Sequence, residues 1–175
     1  PDAVFDFGEP LKSASGQYYV YRTGGGVVTD PNHAEARLSL ELSYAKSANA
    51  AFAQIGDEMP AGVLIDYAAR FGFSAPAARR FPFPFDFSPG QLAGDVNDLY
   101  TDSLLRAVTA IGQGELLASP LNMGMVVLAV YNNGELPVPY LVHAERNSAA
   151  GQAVSLPARS VLHHLMKAET AQIVR

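Results

Sequence analysis

"SYAKSANAAFAQIG", residues 43–56, is the stretch on which the reading of this chain turns. Within its first seven positions stand two serines, a lysine and an asparagine, after which it becomes apolar. Leu38, Leu42, Ala45, Phe52 and Ile55 recur at helical spacing and alanine is frequent, so the run from Leu38 to about Met59 is helical in pattern. Serine and asparagine compete for backbone hydrogen bonds and favour helix ends. The polar middle, Lys46-Ser47-Ala48-Asn49, therefore predicts one helix ending near Lys46 and a second starting near Asn49. In a continuous helix a serine and an asparagine two residues apart point to different faces. On a turn between two helices both can face one cleft. There the hydroxyl can relay a proton, and the amide can hydrogen-bond a substrate carbonyl and a neighbouring lysine. The triplet alone does not separate that chemistry from an ordinary helix cap.

Working outward, Pro60 opens a third helix, with Val63, Leu64, Tyr67, Ala68 and Phe71 as its apolar face and Gly72 as its stop. Towards the N-terminus, Val4, Phe5 and Phe7 read as a strand, cut off by Gly8 and Pro10. Tyr18-Tyr19-Val20-Tyr21 is a second β-like run, broken by Gly24-Gly25-Gly26, with Val27-Val28-Thr29 as its hairpin partner. Residues 74–97 are loop-like, and "FPFPFDFSPG" holds too many prolines for a central strand; its aromatics are expected to pack on the body. Thr101 or Asp102 caps a helix through Ala107. Ser119 is a good N-cap and Pro120 suits the first helical position. From Leu121 to Tyr131 that helix is apolar on nearly every side, the mark of a buried helix. Asn132-Asn133-Gly134 ends it. A short strand over Val138–Val142 and a last helix from about Pro157, carrying Val161, Leu162, Leu165 and Met166, complete the expectation. The fold class read from this is α+β and mainly helical, with a few short strands.

Composition narrows the function. The chain has 175 residues, of which 49% are hydrophobic and 17% charged, enough for one real core. A net charge of −5 gives no phosphate-binding footprint, so nucleic acid is not a partner. With no cysteine, disulfide scaffolds and thiolate metal sites are excluded. No apolar run reaches the roughly 20 residues that span a bilayer. Gly24-Gly25-Gly26 lacks the following Lys-Ser/Thr of a phosphate loop. His163 and His164 are adjacent, and His33 and His143 have no ligand spacing, so no metal is implied. Asp95-Val96-Asn97-Asp98 is too short for a calcium loop. No metal or organic cofactor is expected.

The order of motifs adds what no single motif carries. "AKSANAAFAQIG", followed much later by "AIGQGELLASPLNMGMVVLAVYNNGELPVPYLV", resembles the penicillin-binding protein transpeptidase family. That family has a middle motif SxN followed by a small residue, an aromatic and an apolar helix. Its later helix is introduced by an "IGQG…(T/S)P" segment and ends in "NGG" before a short strand with "P-x-L-V". Here these are Ile111-Gly112-Gln113-Gly114, Ser119-Pro120, Asn132-Asn133-Gly134 and Pro139-Tyr140-Leu141-Val142. The resemblance runs from about Leu38 to the C-terminal helix. It implies a serine nucleophile in SxxK, the SxN turn and a Lys-Thr-Gly strand acting on D-Ala-D-Ala peptides, with β-lactams acylating the same serine. SxN falls on Ser47 and Asn49. Ser47 is then the proton-relay hydroxyl and Asn49 the substrate-orienting amide.

The departures are as informative. Ser43-Tyr44-Ala45-Lys46 fits SxxK literally, but in the family that motif lies on a different helix well before SxN, usually after Pro-Gly. Ser43 is therefore rejected as the nucleophile, and Lys46 is read as a helix-end cation. Arg22-Thr23-Gly24 approaches Lys-Thr-Gly, yet precedes SxN, and reads as a strand end. Residues 1–175 are accordingly expected to be a single partial domain, the helical half of the transpeptidase fold, between the nucleophile helix and the Lys-Thr-Gly strand. The resemblance places the intact protein outside the cytoplasm in the bacterial cell envelope, membrane-held only through an N-terminal anchor outside this segment. Its partners would be the peptidoglycan stem peptide and β-lactams. The isolated segment, inactive alone, is expected to self-associate through an apolar patch. The alternative is a non-catalytic β-lactam-sensor or interaction module on the same fold.

Overall fold

In a computed structural model of the chain, the structure describes residues 3–14, 16–31, 33–74, 90–138, 144–146, 153–155 and 161–175. It is a mixed α/β fold, mostly helical, with a few short antiparallel strands. The chain divides into two compact units, Pro1–Asp66 with Gln91–Leu117, and Tyr67–Gly90 with Ala118–Arg175.

In the first unit, β1 (Val4–Asp6) pairs antiparallel with β5 (Arg37–Ser39), and β2 (Leu11–Ser13), β3 (Gly16–Arg22) and β4 (Val27–Asp30) form an antiparallel meander. Helix α1 (Leu40–Ala45) is capped by Ser39, whose hydroxyl accepts from the Leu42 amide, and closes at Lys46. Helix α2 (Asn49–Glu58) starts three residues later. The predicted break between two helices therefore stands where the polar residues interrupt the pattern, although Leu38 belongs to β5 rather than to the helix. Helix α3 (Ala61–Arg70) crosses the division at Asp66. A 3-10 helix (Val96–Tyr100) capped by Asp95 leads into α4 (Ser103–Ala110), where the Asp102 carboxylate accepts from the Leu105 amide.

Alanines make α2 the centre of this unit. Ala48 and Ala51 pack with Phe5 and Leu38, and Ala53 packs with Val28 and Ala107. Such small side chains let α2 and α4 cross closely, and at Gly56 the approach is tightest. A Cβ there would lie 2.3 Å from the Ala110 Cβ and 3.0 Å from the Arg106 carbonyl oxygen. Beside this crossing Asp57 accepts from the Arg106 guanidinium at 3.0 Å and from the Tyr21 hydroxyl at 3.0 Å. Burial, reinforced by the hydrogen bond to the Asp57 carboxylate, pushes the Tyr21 phenol up to about 12.

In the second unit, α5 (Pro120–Tyr131) begins with a capping box between Ser119 and Asn122. It ends where Asn133 and Gly134 take positive φ, 57° and 88°, and the Gly134 amide bonds back to the Ala129 carbonyl. Strand β6 (Glu135–Pro137) pairs with β9 (Val161–His164), β7 (Ala144–Arg146) with β8 (Ala153–Ser155), and α6 (Ala168–Val174) closes the chain. Met125, Ala129, Leu136 and Leu165 form the core, with Phe71 and Leu121 against it.

Three expectations are corrected here. Val161–His164, including His163-His164, is a strand and not part of a helix, because pairing with β6 decides the conformation of a short apolar run that fits both periods. The strand after α5 lies at Glu135–Pro137; Val138 is outside it, and Pro139–Val142, like Pro157 and "FPFPFDFSP", lies outside the described residues. Helix α5 is not buried all round. Its Asn122, Met125 and Ala129 face is buried, whereas Val127 is 66% and Tyr131 67% exposed, with Met123 in the same row. Among the described residues the cover for the buried face comes from Leu136, Leu165 and Phe71.

Candidate active site

Ser47 stands between α1 and α2 with φ 52°, in the left-handed region that a residue with a side chain seldom occupies. The surrounding backbone holds it there. The Ser47 amide donates to the Tyr44 carbonyl at 3.1 Å, and the Ala48 amide to the Ser43 carbonyl at 2.8 Å. This turn replaces the continuous helix that would send Ser47 and Asn49 to different sides. Both line one cleft of about 460 Å³, together with Tyr44, Phe52, Ala110 and Ile111. Tyr44 and Phe52 meet edge to face at 6.4 Å. The far wall is the end of α4, where the IGQG segment begins. The cleft thus joins a hydroxyl and a carboxamide to an apolar wall, the make-up of a small-ligand pocket with a few orienting polar groups.

Asn49 is half-buried and its Nδ2 donates to the Thr29 carbonyl of β4 at 3.3 Å. The next residue of the same strand, Asp30, is fully buried and accepts from the Ala50 amide at 2.8 Å. His33 closes on Asp30 with Nε2 at 3.2 Å, while its Nδ1 faces the Glu35 carbonyl at 2.9 Å. Phe7 and Tyr19 pack on the imidazole, Tyr19 nearly parallel at 5.1 Å. Lys46 pairs with the Glu35 carboxylate at 2.8 Å, and that ammonium, with backbone donors, holds the Glu35 carboxyl below the usual carboxylate range. Sequence reasoning missed Asp30 and His33. Nothing in "TDPNHAE" announces a helix cap 20 residues ahead. Tyr44, Phe52, Ala110 and Ile111 carried a fainter signal, since they flank the two motifs already singled out.

The literal SxxK is a different environment. Ser43 is 0% exposed, and its Oγ is sealed without a hydrogen-bond partner. Lys46 is engaged with Glu35 at the surface. Arg22 ends β3, and Thr23–Gly26 form its turn, in which the Thr23 hydroxyl accepts from the Gly25 and Gly26 amides. Among the described residues no three His, Asp or Glu side chains converge as metal ligands, and no helix is long and apolar enough to cross a membrane.

The family model of the penicillin-binding protein transpeptidase domain matches residues 5–175. The chain belongs to the penicillin-binding protein transpeptidase family. The peptidoglycan D,D-transpeptidase PbpA of Mycobacterium tuberculosis is 32% identical over 133 residues, 76% of this chain and 24% of that protein. Penicillin-binding protein 3 of Bacillus subtilis is 29% identical over 126 residues, 72% of this chain and 18% of that protein. The matched stretch is therefore at most about a quarter of the length of these penicillin-binding relatives. The crystal structure of PBPA from M. tuberculosis superposes with a TM-score of 0.73 at 23% identity, covering 98% of this chain and 37% of that one. The D,D-transpeptidase domain of a peptidoglycan glycosyltransferase from Eggerthella lenta gives 0.74 at 24% identity, covering 97% and 40%. At such identities the structural likeness is one of fold.

Proposed function

We propose that this chain is the central part of a serine D,D-transpeptidase that cross-links peptidoglycan, with Ser47 relaying the proton and Asn49 orienting the substrate carbonyl. The observation that carries the reading is the strained turn that brings Ser47 and Asn49 to one cleft. Strain of this kind persists where the surrounding structure enforces it, and it concentrates at functional sites. A relative named a peptidoglycan D,D-transpeptidase supports the reaction class, as does a fold shared with a protein solved as its penicillin G acyl-enzyme complex.

In this reading a serine on an SxxK helix outside residues 1–175 attacks the carbonyl between two D-alanines. Its Oγ–C bond forms, the C–N bond breaks, and the terminal D-alanine leaves with a proton relayed through the Ser47 hydroxyl. An acceptor amine then displaces the ester, and the nucleophile regains its proton. A β-lactam enters the same sequence when its ring amide is opened. The intact protein works outside the cytoplasm, in the cell envelope, held to the membrane by a part outside this segment.

The sealed Ser43 and the Lys46–Glu35 pair support a nucleophile elsewhere. Labelled penicillin is expected to leave the 175-residue segment unmodified and to mark the intact protein at a serine outside it. Peptide mass mapping reads the result. Label on Ser43 sinks the assignment, and an intact protein that takes no label is a non-catalytic module.

The exposed row Met123, Val127 and Tyr131 supports self-association of the isolated segment, because large apolar patches drive association. Sedimentation at micromolar concentration should show dimers or larger species that Val127→Lys disperses. A strict monomer ends that part of the reading.

A further inference from the structure

Helix α2 lacks a cap of its own. Its N-cap residue is Ala48, which offers no side-chain acceptor to the first-turn amides. The acceptor comes instead from another element, where the buried Asp30 carboxylate at the end of β4 accepts from the Ala50 amide at 2.8 Å. One residue earlier on that strand, the Thr29 carbonyl accepts from the side-chain Nδ2 of Asn49 at 3.3 Å. Adjacent positions of one strand thus hold the Asn49 side chain and the backbone amide of the residue that follows it. Asp30 is itself fixed. His33 bridges it to the Glu35 carbonyl, and Phe7 and Tyr19 wall the imidazole in. An acceptor oxygen faces each ring nitrogen.

We propose that Asp30, braced by His33, is a positioning residue for acylation: its buried carboxylate ties the Ser47–Asn49 turn to β4 and fixes the reach of both side chains into the cleft. The inference rests on the transpeptidase reading above. A charge-assisted bond from a buried carboxylate to a helix amide is stronger and stiffer than a neutral cap, and it orients the helix as well as ending it. A local cap would satisfy the same amide and leave the turn's place against β4 unset. A displacement of about 1 Å at reacting groups can cost on the order of a hundredfold in rate. Loosening a tether one peptide away is expected to cost about tenfold.

The test uses the full-length protein and the acylation rate constant for a fluorescent penicillin, with concentrations taken from titrated active sites so that misfolded molecules do not count. Asp30→Ala should lower that rate constant about tenfold, with the non-covalent dissociation constant of the drug changed less than threefold. Asp30→Asn, which keeps an acceptor for Ala50 without the charge, should recover only part of the loss. Tyr21→Phe, which weakens the other end of α2, should destabilise the protein and leave the rate constant alone. The double variant Asp30→Ala/Ala48→Ser supplies a local cap in case the single variant folds poorly. Its stability should recover while its rate constant stays low. A rate constant per active site that is unchanged in Asp30→Ala, or fully restored by Ala48→Ser, overturns the proposal. A wild-type protein that is never acylated overturns the transpeptidase reading instead.

Discussion

Asn49→Ala in the intact protein is expected to slow acylation by roughly a hundredfold, the loss that follows removal of one well-placed donor to a developing oxyanion or its carbonyl precursor. The side chain lines the cleft and spends one amide hydrogen on the Thr29 carbonyl. A carboxamide has a second N–H and an oxygen to offer, which in the proposed reading serve the substrate carbonyl and a neighbouring lysine. The Thr29 bond restrains rotation of the carboxamide, so on the proposed reading the remaining donor is pre-aimed and its loss is read in the acylation rate. Stability should fall by only about 1 kcal/mol, the usual net worth of one hydrogen bond. Stopped-flow acylation and denaturant unfolding separate the two effects. An unchanged acylation rate together with the same small loss of stability would leave Asn49 as nothing more than the first residue of a helix.

The second large effect is expected from Gly56→Ala. The added methyl meets the Ala110 Cβ and the Arg106 carbonyl, and neither can rotate aside. Relief therefore requires α2 and α4 to separate. Overpacking of this kind costs about 1–3 kcal/mol, and the rigid neighbours put it at the upper end. The better helix propensity of alanine returns up to about 1 kcal/mol. A net loss of about 2 kcal/mol lowers the Tm by roughly 4–8 °C for a chain of this size. Because Ala110 and Ile111 are also the far wall of the cleft, acylation should slow as well. Adding Ala110→Gly removes the closest clash and should recover part of both losses. A Gly56→Ala protein as stable as the wild type would mean that the helices do not cross as closely as described.

Much of this architecture can be read from the sequence, for reasons that differ by element. The break at Lys46–Asn49, the caps Asp102 and Ser119 and the stop at Asn133-Gly134 are visible because local side-chain chemistry enforces them. The hairpin β3–β4 is visible because branched and aromatic residues flank three glycines. Val161–His164 misleads because its conformation is set by β6, more than 20 residues away, and Val161, Leu162, Leu165 and Met166 happen to fall at helical spacing. Helix α5 misleads differently. Its composition reports only that it avoids water, and which face finds cover depends on what the rest of the chain supplies. At the candidate site, the motif singles out Ser47 and Asn49, which line one cleft. The carboxylate behind them was not legible, because a long-range cap leaves no spacing to recognise.

The φ of 52° at Ser47 has a consequence for anyone redesigning this protein. Glycine adopts that conformation without penalty, whereas a residue with a Cβ gives up about 1 kcal/mol to hold it. A design procedure rewarded for thermostability alone would therefore write glycine at position 47, register an improvement and delete the hydroxyl. If the hydroxyl relays the proton as proposed, stability and chemistry pull in opposite directions at this one backbone angle, and selection for activity alongside stability would keep the serine there.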